Sequence, residues 1–444
     1  MDHVRSYLRA PSGTVVPFVL IGGSSWDLER TGRHKPRRVR KGGDRSFTRR
    51  IPGSVSCFEE KVDSCKTPEG LVIVTILGNQ AFSLLNFRGE LIKAMVKHGH
   101  EVLALAPDYD EAGREAVRAL GAKPMDYSLS RTGLNPFRDL KDFVFLIFLL
   151  RRLKPDLLFC YAIKPVIYGT LAGWAVRIPK RFAMIEGLGY AFIQAGEKEG
   201  PKRRFVRFMA QFLYRLALPR ATKVFFLNQD DLKEFVSKGL VPKEKAFLLG
   251  PIGVDLEHFK PAPPVKSPVT FLFAGRLLRE KGVLEFVEAA RRIKAKYSHT
   301  RFIVLGGLDT NPGAIPRKEV EGWVKEGLIE WPGHVADVRP YLAQASVFVL
   351  PSYREGGPRS IQEAMAMARP IITTDAPGCR ETVIPGVNGF LVPVRNVDAL
   401  VSAMERFINE PELIERMGKE SRRIAEERFN VHKINQVLLE AMGL

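Results

Sequence analysis

The chain has 444 residues, 45% of them hydrophobic and 26% charged, which is ordinary globular usage: it excludes a wholly disordered or collagen-like chain and leaves room for two full domains plus an extension. The 68 Lys and Arg against 49 Asp and Glu leave a net charge of +19, which calls for anionic partners such as phosphates, nucleic acid or an acidic membrane surface. No apolar run reaches the roughly 18 residues of a spanning helix, and the four cysteines, Cys57, Cys65, Cys160 and Cys379, are too few and too scattered for a disulfide framework or a zinc site and fit a reducing cytoplasm.

Residues 1–66 hold 14 basic and 7 acidic side chains, with the cluster HKPRRVRKGGDRSFTRR at 34–50 and frequent Ser, Gly and Pro. No element is predicted there, and the segment reads as a disordered basic extension or a start placed too far upstream, with a nucleic-acid or membrane arm as the alternative. The other 378 residues carry 54 basic against 42 acidic side chains. The positive excess therefore belongs to the folded body as well.

From Leu71 short apolar runs alternate with Gly-containing turns and amphipathic helices. Strands are predicted at 71–77, 101–106, 123–128, 156–160, 181–185, 223–227 and 246–249. Helices of ten or more residues fill most gaps, and crossovers of that length force parallel pairing under helices on both faces. A doubly wound domain over 67–259 is expected. At 260–268 the run KPAPPVKSP, with four prolines, favours an extended linker. A second alternation over 269–444 follows, with strands predicted at 269–274, 301–305, 328–331, 346–350, 370–374 and 389–392 and a helical tail whose last helix is free to return to the first domain. The expected class is therefore α/β, two Rossmann-like domains facing a cleft between the carboxyl ends of two parallel sheets, where ligands bind in such sheets.

The strongest local signal is LPSYREGGPRSIQEAMAMARPIITTD, residues 350–375. A strand ends at Pro351, Gly356 and Gly357 permit close backbone turns, and Pro358 suits a helix start. The helix amino terminus, with its free N–H groups and partial positive charge, suits a phosphate or a sugar hydroxyl. Glu355 and Glu363, spaced E-x(7)-E, can each accept hydrogen bonds from vicinal hydroxyls, one pair on a sugar and one on a ribose. The second signal is FAGRLLREKG, residues 273–282. Arg276 and Lys281 flank a turn that opens a helix near Gly282, and two fixed cations beside a helix terminus could neutralise a diphosphate leaving group without a metal ion.

Three weaker signals accompany these. Leu77, Gly78 and Asn79 end the first strand, with Arg88 expected to open the next helix; no GxGxxG or Walker loop is present, which disfavours a dehydrogenase. In IEGLGY, residues 185–190, Glu186 ends a strand beside Gly187 and Gly189 and is a candidate base or charge stabiliser, or else the partner of a nearby arginine. The helix 202–218 places Phe205, Phe208, Met209, Phe212, Leu213 and Leu216 on one face and Arg203, Arg204 and Arg207 near its start; that face either packs on the sheet or lies in a membrane interface.

From Leu71 onward the chain resembles glycosyltransferase family 4, of GT-B fold. The resemblance rests on Glu355 and Glu363, on GR-x(4)-K at Arg276 and Lys281, and on GVDLEHFKP at 253–261. The runs SRTGLNP (130–136), EGLGY (186–190), GGLDTNP (306–312) and LPSYREG (350–356) look like a bacterial subgroup that adds N-acetylgalactosamine or a related sugar to a diphospho-undecaprenol-linked first sugar. The resemblance implies a retaining enzyme that uses a UDP-sugar and needs no metal or other cofactor. It implies that Arg276 and Lys281 hold the donor diphosphate and Glu363 the nucleotide ribose, with Glu355, Gly356 and Gly357 on the donor sugar and Gly78 closing over it. Arg131, Asn135, Arg203, Arg204, Arg207, Phe208 and Phe212 are placed on the acceptor or membrane side, which implies an enzyme held at the inner face of the plasma membrane by an anionic lipid surface. Many members have a His where Glu186 stands, and the 66-residue extension has no counterpart. The nearest alternative is a transferase of the same family acting on a lipopolysaccharide or capsule precursor. A nucleic-acid-binding protein ranks well below, because the basic residues follow loop and helix-start positions around the cleft, and the E-x(7)-E spacing disfavours a nucleotide-sugar epimerase.

Overall fold

A computed structural model describes residues 70–130, 135–188, 192, 200–309, 311 and 313–444, apart from the Lys202 side chain. The extension 1–66, Arg131, Gly189 and Tyr190 lie outside the described residues. The chain first runs β1 (Ile73–Leu77), α1 (Ala81–Lys97), β2 (Glu101–Ala106), α2 (Glu111–Ala119), β3 (Lys123–Asp126), α3 (Pro136–Leu153) and β4 (Leu157–Tyr161). It continues through α4 (Thr170–Ala175), β5 (Lys180–Ile185), α5 (Pro201–Ala217), β6 (Lys223–Phe226), α6 (Gln229–Ser237) and β7 (Ala246–Leu248). After the proline-rich stretch come β8 (Thr270–Ala274), α7 (Val283–Lys296), β9 (Arg301–Leu305), α8 (Arg317–Lys325), β10 (Glu330–Gly333), α9 (Arg339–Gln344) and β11 (Val347–Leu350). The last elements are α10 (Arg359–Ala366), β12 (Ile371–Thr374), β13 (Gly389–Val392), α11 (Val397–Asn409), α12 (Glu412–Arg428) and α13 (Val431–Met442).

Two parallel sheets result, one ordered β3-β2-β1-β4-β5-β6-β7 and the other β10-β9-β8-β11-β12-β13. Strands covered on both faces can be apolar throughout, and β4 (LLFCY) and β8 (TFLFA) are buried at every position. In both sheets the order reverses once, between β1 and β4 and between β8 and β11, which opens a crevice at the carboxyl ends of those strands. The loops after β1, β8 and β11 carry Gly78, Arg276 and Glu355.

Local chemistry sets the helix starts. Asn135 caps α3 by accepting from the Phe137 and Arg138 amides, each at 3.2 Å, and Asn228 caps α6 through the Asp231 amide at 2.7 Å. Arg88 was expected to open a helix, but α1 begins seven residues earlier at Ala81. Its first turn is fixed by the Asp108 carboxylate accepting from the Ala81 amide at 2.7 Å, a long-range contact with no sequence signature.

The chain crosses between the two sheets twice. On the way out it is held by Arg369, fully buried, which donates to the carbonyls of Ala262 (2.6 Å), Pro263 (2.9 Å) and Ala345 (2.7 Å); burial pulls this guanidinium down to about 10. On the way back, Val254 pairs with Asn430, and α13 lays Leu438, Leu439 and Met442 into a core with Val74 and Phe225 of the first sheet and Ile92 of α1.

Candidate active site

The loop after β11 carries Glu355, Gly356 and Gly357 and is gripped from the first sheet. Asn228, at the end of β6, donates from Nδ2 to the Gly356 carbonyl at 2.9 Å. Arg354 pairs with Asp231, which is fully buried, and with Glu234 at 2.6 Å, both on α6. Arg380 bonds Asp230 at 2.6 Å, and Glu381 accepts from the Gln229 amide at 2.8 Å. Gly356 lies against the backbone carbonyl of Glu186, where any Cβ would collide with it. Glycine is required there by close approach. The amino end of α6, Glu186 and the Glu355 loop therefore form one contiguous surface.

Lys281 and Glu355 come together: Nζ lies 2.5 and 2.7 Å from the two carboxylate oxygens, and both side chains are largely buried. Arg276 sits nearby in the same loop system, more exposed, with a contact to Asp309 at 3.1 Å. Glu363, in the second turn of α10, bonds Arg359 at 3.0 Å. Burial pushes its carboxyl above the ordinary value of 4.5, and the Arg359 charge only partly offsets that. Arg359 also places its guanidinium 5.4 Å from the Phe87 ring on α1 and donates to the Asn86 carbonyl, so the Glu363 end of the cleft is bridged as well.

Across the cleft, Glu186 is ion-paired to Arg88, the arrangement the arginine-partner alternative expects. Arg88 is buried, with its guanidinium 4.6 Å from the Tyr161 ring. Burial raises the Glu186 carboxyl while Arg88 opposes the rise. Gly78 follows β1 with its carbonyl accepting from the Tyr127 hydroxyl at 2.6 Å, and the Tyr161 hydroxyl fills the place a Cβ would take. Asn135 serves as the α3 cap.

The face of 202–218 expected to act as a unit divides. Phe205, Phe208, Phe212 and Leu216 are exposed, whereas Leu213 and Ala210 pack on the sheet beside the buried Tyr214. The stripe does not pack on the sheet as a whole because α5 turns Tyr214 and Ala217 inward and so rolls the phenylalanines outward.

Sequence reasoning named Arg88 only as a helix opener and missed Asn228, Asp231 and Arg354, which with it hold the site from a distance. It also missed a cavity of about 350 Å³ lined by Gly307, Leu308, Arg317, Trp331, Pro332, Gly333 and His334, next to the Arg276 loop, where Trp331 Nε1 donates to the Gly306 carbonyl at 2.9 Å. His334 there meets Phe82 of α1 at 6.5 Å between ring centroids. Among the described residues no group of three or more His, Cys, Asp or Glu is placed to hold a metal ion.

Two sheets of this order with a shared crevice define a GT-B glycosyltransferase architecture. The family described as "Glycosyl transferase 4-like domain" matches residues 87–251, and "Glycosyl transferases group 1" matches 268–410. The chain is 31% identical over 354 residues to the N,N'-diacetylbacillosaminyl-diphospho-undecaprenol alpha-1,3-N-acetylgalactosaminyltransferase of Campylobacter jejuni, covering 77% of this chain and 90% of that protein. It is 26% identical over 309 residues to the UDP-Gal:alpha-D-GlcNAc-diphosphoundecaprenol alpha-1,3-galactosyltransferase of Escherichia coli, covering 67% of this chain and 77% of that protein. Among solved structures, Anabaena HepE in complex with UDP and glucose superposes with a TM-score of 0.66 at 18% identity, covering 84% of this chain and 99% of that one. The chain belongs to glycosyltransferase family 4.

Proposed function

We propose that the protein transfers an N-acetylhexosamine, with retention, from a UDP-sugar to a polyprenyl-diphosphate-linked saccharide in the assembly of a surface glycan or glycoprotein oligosaccharide. The observation that carries the reading is the Lys281–Glu355 pair at the switch point of the second sheet, in a loop whose Gly356 lies against the Glu186 carbonyl of the opposing loop. Each charge of the pair satisfies the other. A donor diphosphate would draw Lys281 and Arg276 to its oxygens, and Glu355 would be released to the hydroxyls of the donor sugar, aided by the backbone at Gly356 and Gly357. Glu363 would take the ribose, the cavity at Trp331 and His334 the base, and Gly78 would close over the sugar from the first sheet. Because the cations strengthen their hold as the leaving group gains charge, they act on the transition state more than on the bound donor. Glu186, paired with Arg88, would stabilise positive charge developing on the sugar or receive the acceptor proton.

The choice of substrates is supported by the Campylobacter and Escherichia relatives, whose names give diphospho-undecaprenol acceptors. A capsule or lipopolysaccharide precursor is the second reading, supported by 24% identity over 306 residues to a capsular polysaccharide glycosyltransferase of Staphylococcus aureus. No helix among the described residues is long and apolar enough to cross a membrane. A lipid-linked acceptor would be met by peripheral attachment at the inner face of the plasma membrane, through the exposed Phe208 and Phe212 of α5 with Arg204 and Arg207 near its start; Arg203, expected there too, has Nε and Nη2 buried. The test incubates the purified protein with a panel of UDP-sugars and a synthetic polyprenyl-diphosphate monosaccharide and reads products by mass spectrometry. Addition of one N-acetylhexosamine to the lipid is expected; no transfer to it, with transfer to a lipopolysaccharide or capsule oligosaccharide supplied in a parallel reaction, would overturn the acceptor assignment.

A further inference from the structure

The flank of the first sheet that carries α5 presents a second and more exposed apolar face. On α3, Phe137, Leu140, Val144, Phe145 and Phe148 are all exposed, Phe137 at 84% and Phe148 at 65%. Residues 137, 140, 141, 144, 148 and 151 recur at helical spacing and share one side of the helix. The opposite side, Asp139, Asp142, Leu146 and Leu150, is buried. Both acidic residues of the helix are therefore spent inward: Asp139 accepts from Lys164 at 2.7 Å and Tyr168 at 3.1 Å, and Asp142 from Ser128 at 2.5 Å and the Ser130 amide at 2.8 Å. Outward there remain the five apolar side chains and Arg138, Lys141, Arg151 and Arg152, all exposed, with no carboxylate among them. Surface helices of globular proteins carry the opposite arrangement, apolar inside and mixed charge outside.

This face is continuous with that of α5. Helix α4 packs against both α3 and α5 and exposes half of Trp174, over whose ring Arg220 places its guanidinium at 4.5 Å. Both long helices leave the carboxyl ends of their preceding strands, β3 and β5, so both stripes begin at the cleft rim and run away from it.

We infer that α3 is a membrane-seating helix, its three phenylalanines, Leu140 and Val144 entering the boundary between headgroups and acyl chains while Arg138, Lys141, Arg151 and Arg152 engage anionic headgroups. This rests on the reading that the acceptor is lipid-linked, and it names the surface on which that acceptor is met. Charge decides the occupant. A second copy docked face to face would set these cations against their own kind, and the extension 1–66, with 14 basic against 7 acidic residues, has the same sign. An anionic bilayer complements both the apolar stripe and the charge. With α3 and α5 as two roughly parallel footings, the cleft mouth lies at the edge of the contact and a diphosphate at headgroup depth enters from the side.

The test measures sedimentation of the full chain with vesicles of phosphatidylcholine alone and of phosphatidylcholine with phosphatidylglycerol. Phe137→Asp with Phe148→Asp should cut partitioning by at least about tenfold with melting temperature and oligomeric state unchanged. Arg151→Glu with Arg152→Glu, which leaves the apolar stripe intact, should weaken binding only to the vesicles containing phosphatidylglycerol. If both variants pellet like the parent while Phe208→Glu with Phe212→Glu is released, α3 does not seat the protein and the inference is wrong. A parent dimer that the α3 variant converts to monomer, or a gain in binding when residues 1–69 are removed, would assign the face to a second copy or to the extension and would equally overturn it. Failure of the parent to bind any vesicle would remove the inference outright, and transfer to a water-soluble diphosphate acceptor would then show whether the catalytic reading survives without it.

Discussion

Arg88 and Glu186 separate two meanings of one carboxylate. Arg88 is almost wholly buried against Tyr161 and Glu186, and removing one member of such a pair leaves an uncompensated charge, at a cost of about 3 kcal/mol or more. Arg88→Met is therefore expected to lower unfolding stability by that amount in denaturant titrations. Glu186→Gln keeps an acceptor for the guanidinium and should cost less stability. If Glu186 serves the reaction, the same variant loses roughly a hundredfold in turnover in protein that remains folded, beyond that smaller stability change; near-normal turnover would leave the carboxylate a purely structural partner. Lys281→Ala and Arg276→Ala should each depress turnover by roughly a hundredfold or more, with smaller change in donor affinity, because the charge they meet grows during bond breaking. Glu363 adds a pH dependence. Burial favours its neutral form, so the proton is held above the usual 4.5, and UDP affinity should fall as the pH is lowered through that raised ionisation. Calorimetry across pH checks this, and Glu363→Gln should flatten the profile. Arg276, Lys281, Glu355 and Glu363 could be picked out of the sequence as candidates because strand end, glycine pair and helix start are local features that announce themselves within ten residues. Arg88 and Asp231 could not be read as holders of the site, since their partners lie 98 and 123 residues away and neither sits in a pattern with a local reason to exist.

At the scale of elements, the amino end of α6 does most of the holding. Asn228, Asp230, Asp231 and Glu234 all bind the loop system of β11 and β12, and Arg354 precedes Glu355 by one residue. Asp231→Asn would leave Arg354 with Glu234 alone, whereas Arg354→Met would leave a fully buried carboxylate without its cation; the second should be the more destabilising, by about 3 kcal/mol, as chemical denaturation can show. The strands were readable one by one because parallel strands buried on both faces are near-continuous apolar runs. The same rule concealed α3, whose run from Phe143 to Leu150 looks like core by composition. Only the placement of Asp139 and Asp142 against Lys164, Tyr168 and Ser128 reveals which side of that helix faces inward.

For the whole molecule, charge and connectivity matter most. If Arg276, Lys281 and the amino terminus of α10 neutralise the diphosphate, transfer should survive excess EDTA; complete loss reversed by magnesium would sink that account. Deleting residues 431–444 would strip Leu438, Leu439 and Met442 from the first core, and at about 1.5–3 kcal/mol for each large apolar side chain the truncated protein should melt in two separated transitions where the parent melts in one. That the last helix might return was legible as a possibility, but its seat on α1 depends on surfaces far apart in the chain. Lys180 donates to the Gly443 carbonyl 263 residues later. Folding during synthesis normally proceeds from the amino end, with domains closing as they emerge. Here the earlier domain stays open along one flank until α13 has left the ribosome, so its apolar α1 side is exposed while the second domain is translated. A message broken before α13 would yield a product whose first domain lacks that cover and which would present the flank to chaperones and proteases.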